Sequence, residues 1–151
     1  EHGHLNERKR ALYETAGQII NGELENKREA LDALRKGTES FSAQLKHHAE
    51  REENVLFTMM ARYIGRENGP IAMMEYEHDE AEKYIEIFLN GTKIMDEDQA
   101  EVLASYIVQM YELLTNHFFK EENVLFPMAE NLLSAAEKDE LEEKVCTTGL
   151  Q

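Results

Sequence analysis

The chain has 151 residues, 42% of them hydrophobic, and a formal net charge of −15. This length suits one domain with a sizeable buried core, and the composition excludes a disordered chain. So negative a chain is a poor candidate for binding nucleic acid or anionic membrane surfaces, both of which need a basic surface.

A lone cysteine, Cys146, cannot form an internal disulfide framework, which is typical of a reducing compartment. The sequence contains neither a signal peptide nor an apolar run long enough to span a membrane. We therefore expect a cytoplasmic protein. The sequence begins with Glu1 rather than Met, so missing upstream residues and an N-terminal partner domain stay open, as does the oligomeric state.

Helical periodicity runs through the whole sequence, and strand alternation is absent. We predict one domain over residues 1–151 that is all-α. Its helices are predicted at about 2–20 (A), 26–64 (B), 70–89 (C) and 96–126 (D), with a short helix at about 134–145 (E).

Turn and cap residues set these limits. Pro70 suits the first turn of helix C, and Asp96 is a good N-cap for helix D. Pro127 is expected to kink or end helix D. Ser134 with Glu137 forms a capping-box signature at the start of helix E.

Four long helices with short connections indicate an up-down-up-down four-helix bundle. Each helix carries an apolar stripe that is expected to face the core. In helix B the stripe consists of Leu34, Phe41, Leu45, Leu56, Met59 and Tyr63. In helix D it consists of Leu103, Tyr106, Met110, Leu113, Val124 and Met128.

Two segments of the chain repeat each other. Residues 48–57 and 117–126 both read H-x-x-x-E-E-N-V-L-F, and Glu1-His2 is echoed by Glu77-His78. The chain therefore looks like two copies of a helical hairpin, A–B and C–D.

The position of these residues on their helices predicts a metal site. Residues at i and i+4 share a helix face, so His48 with Glu52, and His117 with Glu121, fall inside the apolar stripes of B and D. A buried carboxylate needs a cationic partner, and no Lys or Arg falls on the inner stripes near these positions. A metal ion supplies that charge. Imidazole and carboxylate ligands without thiolates suit iron or manganese, with zinc as an alternative.

Two further histidines are predicted to bind the metal. His78 falls on the apolar stripe of helix C, and His2 lies nearer than His4 to the stripe of helix A. The competing interpretation of His2 is a frayed or extraneous terminus. The weaker candidates for the site are His4, Glu82 and Glu122.

The order of these motifs resembles the hemerythrin-like, or HHE cation-binding, domain family, from Glu1 to about Asn131. The pieces are an E-H near the start, H-x-x-x-E, a central E-H-D-E, and H-F-x-x-E-E-x-x-L-F-P, present here as residues 117–127. The resemblance implies a hemerythrin-like bundle that holds two irons with an oxo or hydroxo bridge. It implies His2, His48, His78 and His117 as terminal ligands, with Glu52 and Glu121 as bridging carboxylates.

This chain departs from the oxygen-carrying hemerythrins, whose third helix resembles H-x-x-x-H. Glu82 stands at the position of the second histidine, so the fifth histidine is missing. Those proteins also place an Asp five residues after the fourth-helix histidine. Glu122 stands there, whereas the helix-face argument favours Glu121.

Three functions remain open at this point. The first is a module that binds or senses O2, NO, peroxide or iron. The second is an enzyme acting on peroxide or NO, or supporting iron–sulfur centre repair, with a separate redox partner. The third is a structural metal site or iron reservoir. A missing fifth histidine leaves about one open position on each of two six-coordinate irons, which favours a reactive site over a dedicated oxygen carrier.

Overall fold

The computed structural model describes residues 2–22, 25–94 and 96–147, and it contains no strand in those ranges. Glu1, the first residue of the Glu-His echo, and the side chain of Cys146 lie outside what it describes. The helices are α1 (His2–Ile20), α2 (Lys27–Arg51), α3 (Phe57–Ile64), α4 (Pro70–Gly91), α5 (Ala100–Lys120), α6 (Phe126–Leu132) and α7 (Ala135–Thr147).

Two of the long helices are interrupted by a wide π turn rather than by a loop. The first π turn, Glu52–Leu56, joins α2 to α3, and the second, Glu121–Leu125, joins α5 to α6. Helix B of the sequence analysis is therefore α2 with α3, and helix D is α5 with α6. Both π turns have the repeated sequence E-E-N-V-L.

The long helices form the expected bundle. α1 packs against α2 and α5, and α4 packs against the same two helices, so each helix has two neighbours around the bundle. This arrangement confirms the predicted all-α, hemerythrin-like bundle with an additional short C-terminal helix. None of the described helices is long and apolar enough to cross a membrane.

Local side-chain contacts explain where several helices begin. The Asn26 side chain accepts a hydrogen bond from the Glu29 N–H at 3.0 Å, which caps α2. Asp96 also caps a turn, accepting from the Asp98 N–H at 3.0 Å. That turn is a short 3-10 helix, Glu97–Gln99, so α5 begins only at Ala100.

Pro127 does not end the fourth long helix, as the sequence suggested it could. The chain continues as α6 to Leu132, and Pro127 lies in the first turn of that segment. Proline is tolerated there because its fixed φ suits the start of an α-helix. The π turn just before it makes this possible, since α6 starts as a new α-helical segment.

Each π turn also changes which residues after it face the core. One extra residue per turn shifts the helical phase by about 100° relative to an uninterrupted α-helix. Tyr63 is consequently 49% exposed and Val124 is 52% exposed, although both were predicted on inner stripes.

The buried side chains form two hydrophobic clusters with the repeated His and Glu residues between them. Leu45 of α2 belongs to the first cluster, and Val55 of the following π turn, beyond His48 and Glu52, belongs to the second. α5 and its π turn follow the same order, from Leu114 to Leu125. The polar residues therefore occupy a layer that is closed on both sides by apolar side chains.

The C-terminal helix begins with the predicted capping box. The Ser134 N–H donates to the Glu137 carboxylate at 2.9 Å, and the Glu137 N–H donates to Ser134 Oγ at 3.1 Å. The Tyr63 hydroxyl also donates to Glu137. α7 is thus attached beside the end of α3, close to the first π turn.

Candidate metal centre

The structure brings six predicted residues together into two groups of potential metal ligands. One group is His2, His48, Glu52 and Glu121, and the other is Glu52, His78, His117 and Glu121. In each group the potential ligand atoms lie within 4.8 Å of one another. Glu52 and Glu121 belong to both groups, so the arrangement is a pair of sites that share two carboxylates.

Glu52 lies between the two groups. Its Oε2 atom is 3.3 Å from Nε2 of His48, and its Oε1 atom is 3.2 Å from Nε2 of His78. One carboxylate oxygen thus faces each group, which is the placement that a bridging carboxylate needs.

Glu121 also faces histidines of both groups. Its Oε1 atom is 3.1 Å from Nε2 of His2, 3.8 Å from Nε2 of His48 and 3.5 Å from Nε2 of His117. The Glu121 side chain is completely buried, whereas Glu122 is half exposed. The structure therefore places the first Glu of this pair among the histidines, as the helix-face argument predicted.

Buried atoms without hydrogen bonds converge at this place. Among the described residues they include Nε2 of His2, His78 and His117, and both carboxylate oxygens of Glu52 and Glu121. Their mutual contacts have ion-pair distances but lack hydrogen-bond geometry. Leaving so many polar atoms unsatisfied costs several kcal/mol, roughly 1–3 kcal/mol for each buried group. A metal ion accepts lone pairs from such atoms, so this set of donors fits metal binding.

The π turns position these carboxylates. Each begins at the shared Glu, and the N–H of the residue after the turn, Phe57 or Phe126, reaches back five residues to that Glu carbonyl. π turns are often found at functional sites. In the first turn, the Glu53 carbonyl accepts hydrogen bonds from Thr58 Oγ1 at 2.9 Å and Arg66 Nη2 at 2.8 Å.

Three further carboxylates contact the Nδ1 atoms of three of the four histidines, and two of these carboxylates were not predicted from the sequence. His78 Nδ1 lies 2.7 Å from Glu53, and His117 Nδ1 lies 2.8 Å from Glu77. The third contact joins His2 Nδ1 to Glu122 at 2.9 Å. Histidines that bind metals generally make such a contact, which fixes the ring so that Nε2 points to the metal.

Signals for these carboxylates were present in the sequence. Glu53 and Glu122 are the second Glu of the repeated E-E pair, and Glu77 precedes His78 in the Glu-His echo. A buried imidazole needs a partner for each nitrogen, so the repeated carboxylates were candidates for that role. Glu122 was predicted as a weaker candidate for a metal ligand. In the structure it belongs to neither ligand group and instead contacts a predicted ligand, His2.

Two weaker candidates lie outside the two groups. The His4 side chain is exposed, although it is close in sequence to His2. Glu82 is partly buried, and burial raises its pKa, but neither group includes it. The structure thus supplies four histidines, without a replacement for the missing fifth.

The protonation of the cluster follows from burial and from the neighbouring charges. Burial opposes the charged form of His48, but the carboxylates of Glu121 and Glu52 outweigh it and raise the pKa of His48 to about 9. Burial likewise opposes ionisation of Glu52, yet its contacts with Glu121, His48 and His78 hold its pKa well below the usual range. Burial lowers the pKa of His117, which favours the neutral imidazole that binds metals.

The sequence predicts no Lys or Arg on the inner stripes near the centre, but the structure buries one arginine beside it. Arg51 is only 7% exposed and lines the same cavity as His2, His48 and Glu52. Lys138 and Leu141 of α7 line the same cavity, and contributions from a separate helix are not visible in the periodicity of helix B alone.

Comparison with known proteins agrees with this arrangement. The family model described as "Hemerythrin HHE cation binding domain" matches residues 1–129. The curated protein "Iron-sulfur cluster repair protein YtfE" of Salmonella typhimurium is 36% identical over 92 residues, which cover 57% of this chain and 42% of that protein. Its counterparts in Salmonella schwarzengrund and Salmonella paratyphi B are 35% identical over the same length. The chain thus matches less than half the length of these relatives, and no solved structure is significantly similar to it.

Proposed function

The chain belongs to the hemerythrin HHE cation-binding domain family, and from this membership we propose that it is a non-haem di-iron protein. In this proposal iron is preferred to manganese or zinc, and an oxo or hydroxo group joins the two ions. His2 and His48 hold one ion and His78 and His117 hold the other, with Glu52 and Glu121 bridging. The observation that carries the proposal is the sharing of two buried carboxylates by two groups of ligands.

The protein residues have separate tasks in this centre. Glu122, Glu53 and Glu77 hold the histidine rings through Nδ1, leaving Nε2 for the metal. Phe118 stacks on the His2 ring, with their centroids 4.5 Å apart. Phe57 stacks on the His78 ring, with their centroids 5.8 Å apart. These aromatic rings restrict the movement of the His2 and His78 imidazoles.

We propose that the centre binds or senses a small ligand, namely O2, NO or peroxide, or reports the availability of iron. A pair of iron ions with four histidines supplies open coordination positions and a change of oxidation state. That only four imidazoles lie in the two groups supports a centre with open positions.

A second function is favoured by the curated relatives. They are named iron–sulfur cluster repair proteins, and they share about a third of their residues with this chain in the matched region. We therefore keep support of iron–sulfur centre repair, or reduction of peroxide or NO, as the alternative.

Metal analysis tests the di-iron proposal. The protein should be reconstituted anaerobically with ferrous iron, freed of excess metal and analysed for iron per chain. We expect two irons, and near-ultraviolet absorption of an oxo-bridged ferric pair after oxidation. One iron or fewer per folded chain contradicts the proposal.

Stopped-flow spectroscopy of the reduced protein separates the two functions. A stable and reversible spectral change on mixing with O2 or NO supports binding or sensing. Repeated turnover of peroxide or NO in the presence of a reductant supports the enzyme instead.

A further inference from the structure

A cavity of about 470 Å³ lies between the candidate centre and the C-terminal helix α7. Pockets that bind small organic molecules have volumes of roughly 300–1,000 Å³, whereas a water molecule occupies about 30 Å³. A diatomic ligand would fill only a small part of this cavity. Its size therefore suits an organic molecule.

One part of the cavity wall is polar and adjoins the candidate centre. His2, His48 and Glu52 line it, together with the buried side chain of Arg51. The guanidinium of an arginine has five N–H donors, so it can serve more than one acceptor at once. Its planar geometry favours carboxylates, which it binds with two parallel hydrogen bonds.

The other part of the wall is apolar and continuous. Leu56, Ala129 and Leu133 are buried members of one hydrophobic cluster, and Leu141 of α7 packs against that cluster. All four line the cavity. An aliphatic chain placed here would be removed from water on several sides, and each buried CH2 group would strengthen binding.

An ion pair of α6 and α7 lies at the edge of this apolar wall. Lys138 Nζ is 3.2 Å from a Glu130 carboxylate oxygen, and both residues line the cavity. Since the family match ends at residue 129, α7 and its contribution to the wall lie beyond the matched region. The cavity therefore combines the candidate centre with a wall that the family match does not cover.

We propose that this cavity is a binding site for an amphipathic organic monocarboxylate. The carboxylate binds at Arg51, beside the His2–His48 half of the centre, and the aliphatic chain lies against Leu56, Leu133 and Leu141. The inference rests on the proposed function, because Glu52 also lines the cavity and its charge is compensated when the centre holds metal, whereas Glu122 pairs with His2 Nδ1.

Calorimetric titration of the anaerobic, iron-loaded protein tests this site, with octanoate as the probe. We expect one octanoate to bind per chain. Octan-1-ol lacks the carboxylate and acetate lacks the chain, so each should bind at least about tenfold more weakly. Octan-1-ol binding as tightly as octanoate would overturn the proposal, since the cavity would then be merely apolar.

Variants locate the two ends of the ligand. Arg51→Gln and Leu141→Gln should each raise the Kd of octanoate by about tenfold or more. The matched controls are Arg28→Gln, an exposed position of the same helix α2, and Leu132→Gln, which belongs to the same apolar cluster without lining the cavity. Both controls should leave the Kd within about twofold.

The iron content of every sample separates this inference from the proposed function. A chain with two irons that fails to bind octanoate overturns the site, and so does an unchanged Kd in Leu141→Gln. A folded chain without iron overturns the proposed function instead. Because Arg51→Gln can disturb folding, Leu141→Gln on the separate helix α7 provides the independent measurement.

Discussion

Glu52 Oε1 lies 3.2 Å from Nε2 of His78, a residue of the other helical hairpin. The second oxygen of the same carboxylate faces His48 of its own hairpin at 3.3 Å. Glu52 is therefore the side chain that connects the two candidate metal positions on one side, as Glu121 does on the other.

Removal of either shared carboxylate should reduce the metal content. We expect Glu52→Ala and Glu121→Ala to hold one iron or fewer per chain after reconstitution, since each loses a ligand from both positions. Elemental analysis with circular dichroism of the same samples measures this. Two irons per chain in both variants would show that the bridges have been misassigned.

Glu77→Gln should weaken metal binding without removing a ligand. The amide cannot accept from His117 Nδ1 as strongly as the carboxylate does, so the imidazole is held less firmly. We expect a decrease in metal affinity of about 10- to 100-fold, measured by competition with a chelator. Glu75→Gln is the matched control, because Glu75 of the same helix pairs with Arg66 and belongs to neither ligand group; an equal effect there would refute a specific role for Glu77.

Glu122→Ala should have an intermediate effect. Glu122 contacts His2 Nδ1 at 2.9 Å but stands outside both ligand groups. We therefore expect two irons at saturation, with weaker binding of the ion held by His2. Loss of one iron even at saturating metal, equal to that in Glu121→Ala, would instead assign a bridging role to Glu122.

The metal-free protein should lose stability at alkaline pH. The pKa of His48 rises from about 6.5 in an unfolded chain to about 9 in the folded protein. A raised pKa means that protonation of His48 stabilises the fold. This contribution to the free energy of unfolding is therefore complete below about pH 6.5 and disappears as the pH rises through about 9. The shift corresponds to about 3 kcal/mol.

Urea unfolding of the metal-free protein between pH 6 and 9.5 measures this effect. His48→Gln should have a flatter profile in this range, because it lacks the titrating imidazole. A wild-type profile as flat as that of His48→Gln would contradict the raised pKa. The depressed pKa of Glu52 affects stability at acidic pH instead. Its contribution to the free energy of unfolding is lost as the pH falls through the folded-state pKa.

Two helical glycines should respond in opposite directions to alanine. A Cβ atom on Gly17 would meet no atom within 4 Å, so Gly17→Ala should stabilise the protein by about 0.5–1 kcal/mol. A Cβ atom on Gly91 would lie 2.3 Å from Leu103 Cδ2, in the buried core. We expect Gly91→Ala to destabilise by about 1–2 kcal/mol. Thermal unfolding of both variants tests the pair, and stabilisation by Gly91→Ala would contradict the close approach.

The sequence was sufficient to predict the parts of this fold that depend on helical periodicity. The chain keeps α-helical hydrogen bonding from His48 to Glu52 and from His117 to Glu121, and each π turn begins only at the Glu, so the i, i+4 rule applies to both pairs. The rule failed beyond each Glu, at Tyr63 and Val124, because nothing in the local periodicity indicates a π turn. A repeated E-E-N-V-L sequence shows only that the two places are equivalent.

Contacts between distant elements could not be predicted from single helices. Arg51 does not belong to the predicted apolar stripe of helix B, yet it is buried, and it lines a cavity together with Lys138 and Leu141 of α7. The role of Glu77 could not be predicted for the same reason. Its acceptance of hydrogen bonds from His117 and Lys120 depends on how α4 packs against α5.

The contacts between the second Glu of each pair and a histidine have a consequence for how the two halves of the chain depend on each other. Glu53 of the first hairpin holds His78 of the second, and Glu122 of the second holds His2 of the first. Neither half of the polypeptide therefore contains a complete, oriented set of ligands. A gene fragment encoding one hairpin should not assemble this centre by itself, whereas co-expression of both fragments could restore it by complementation. Metal occupancy thus reports whether the two halves have assembled.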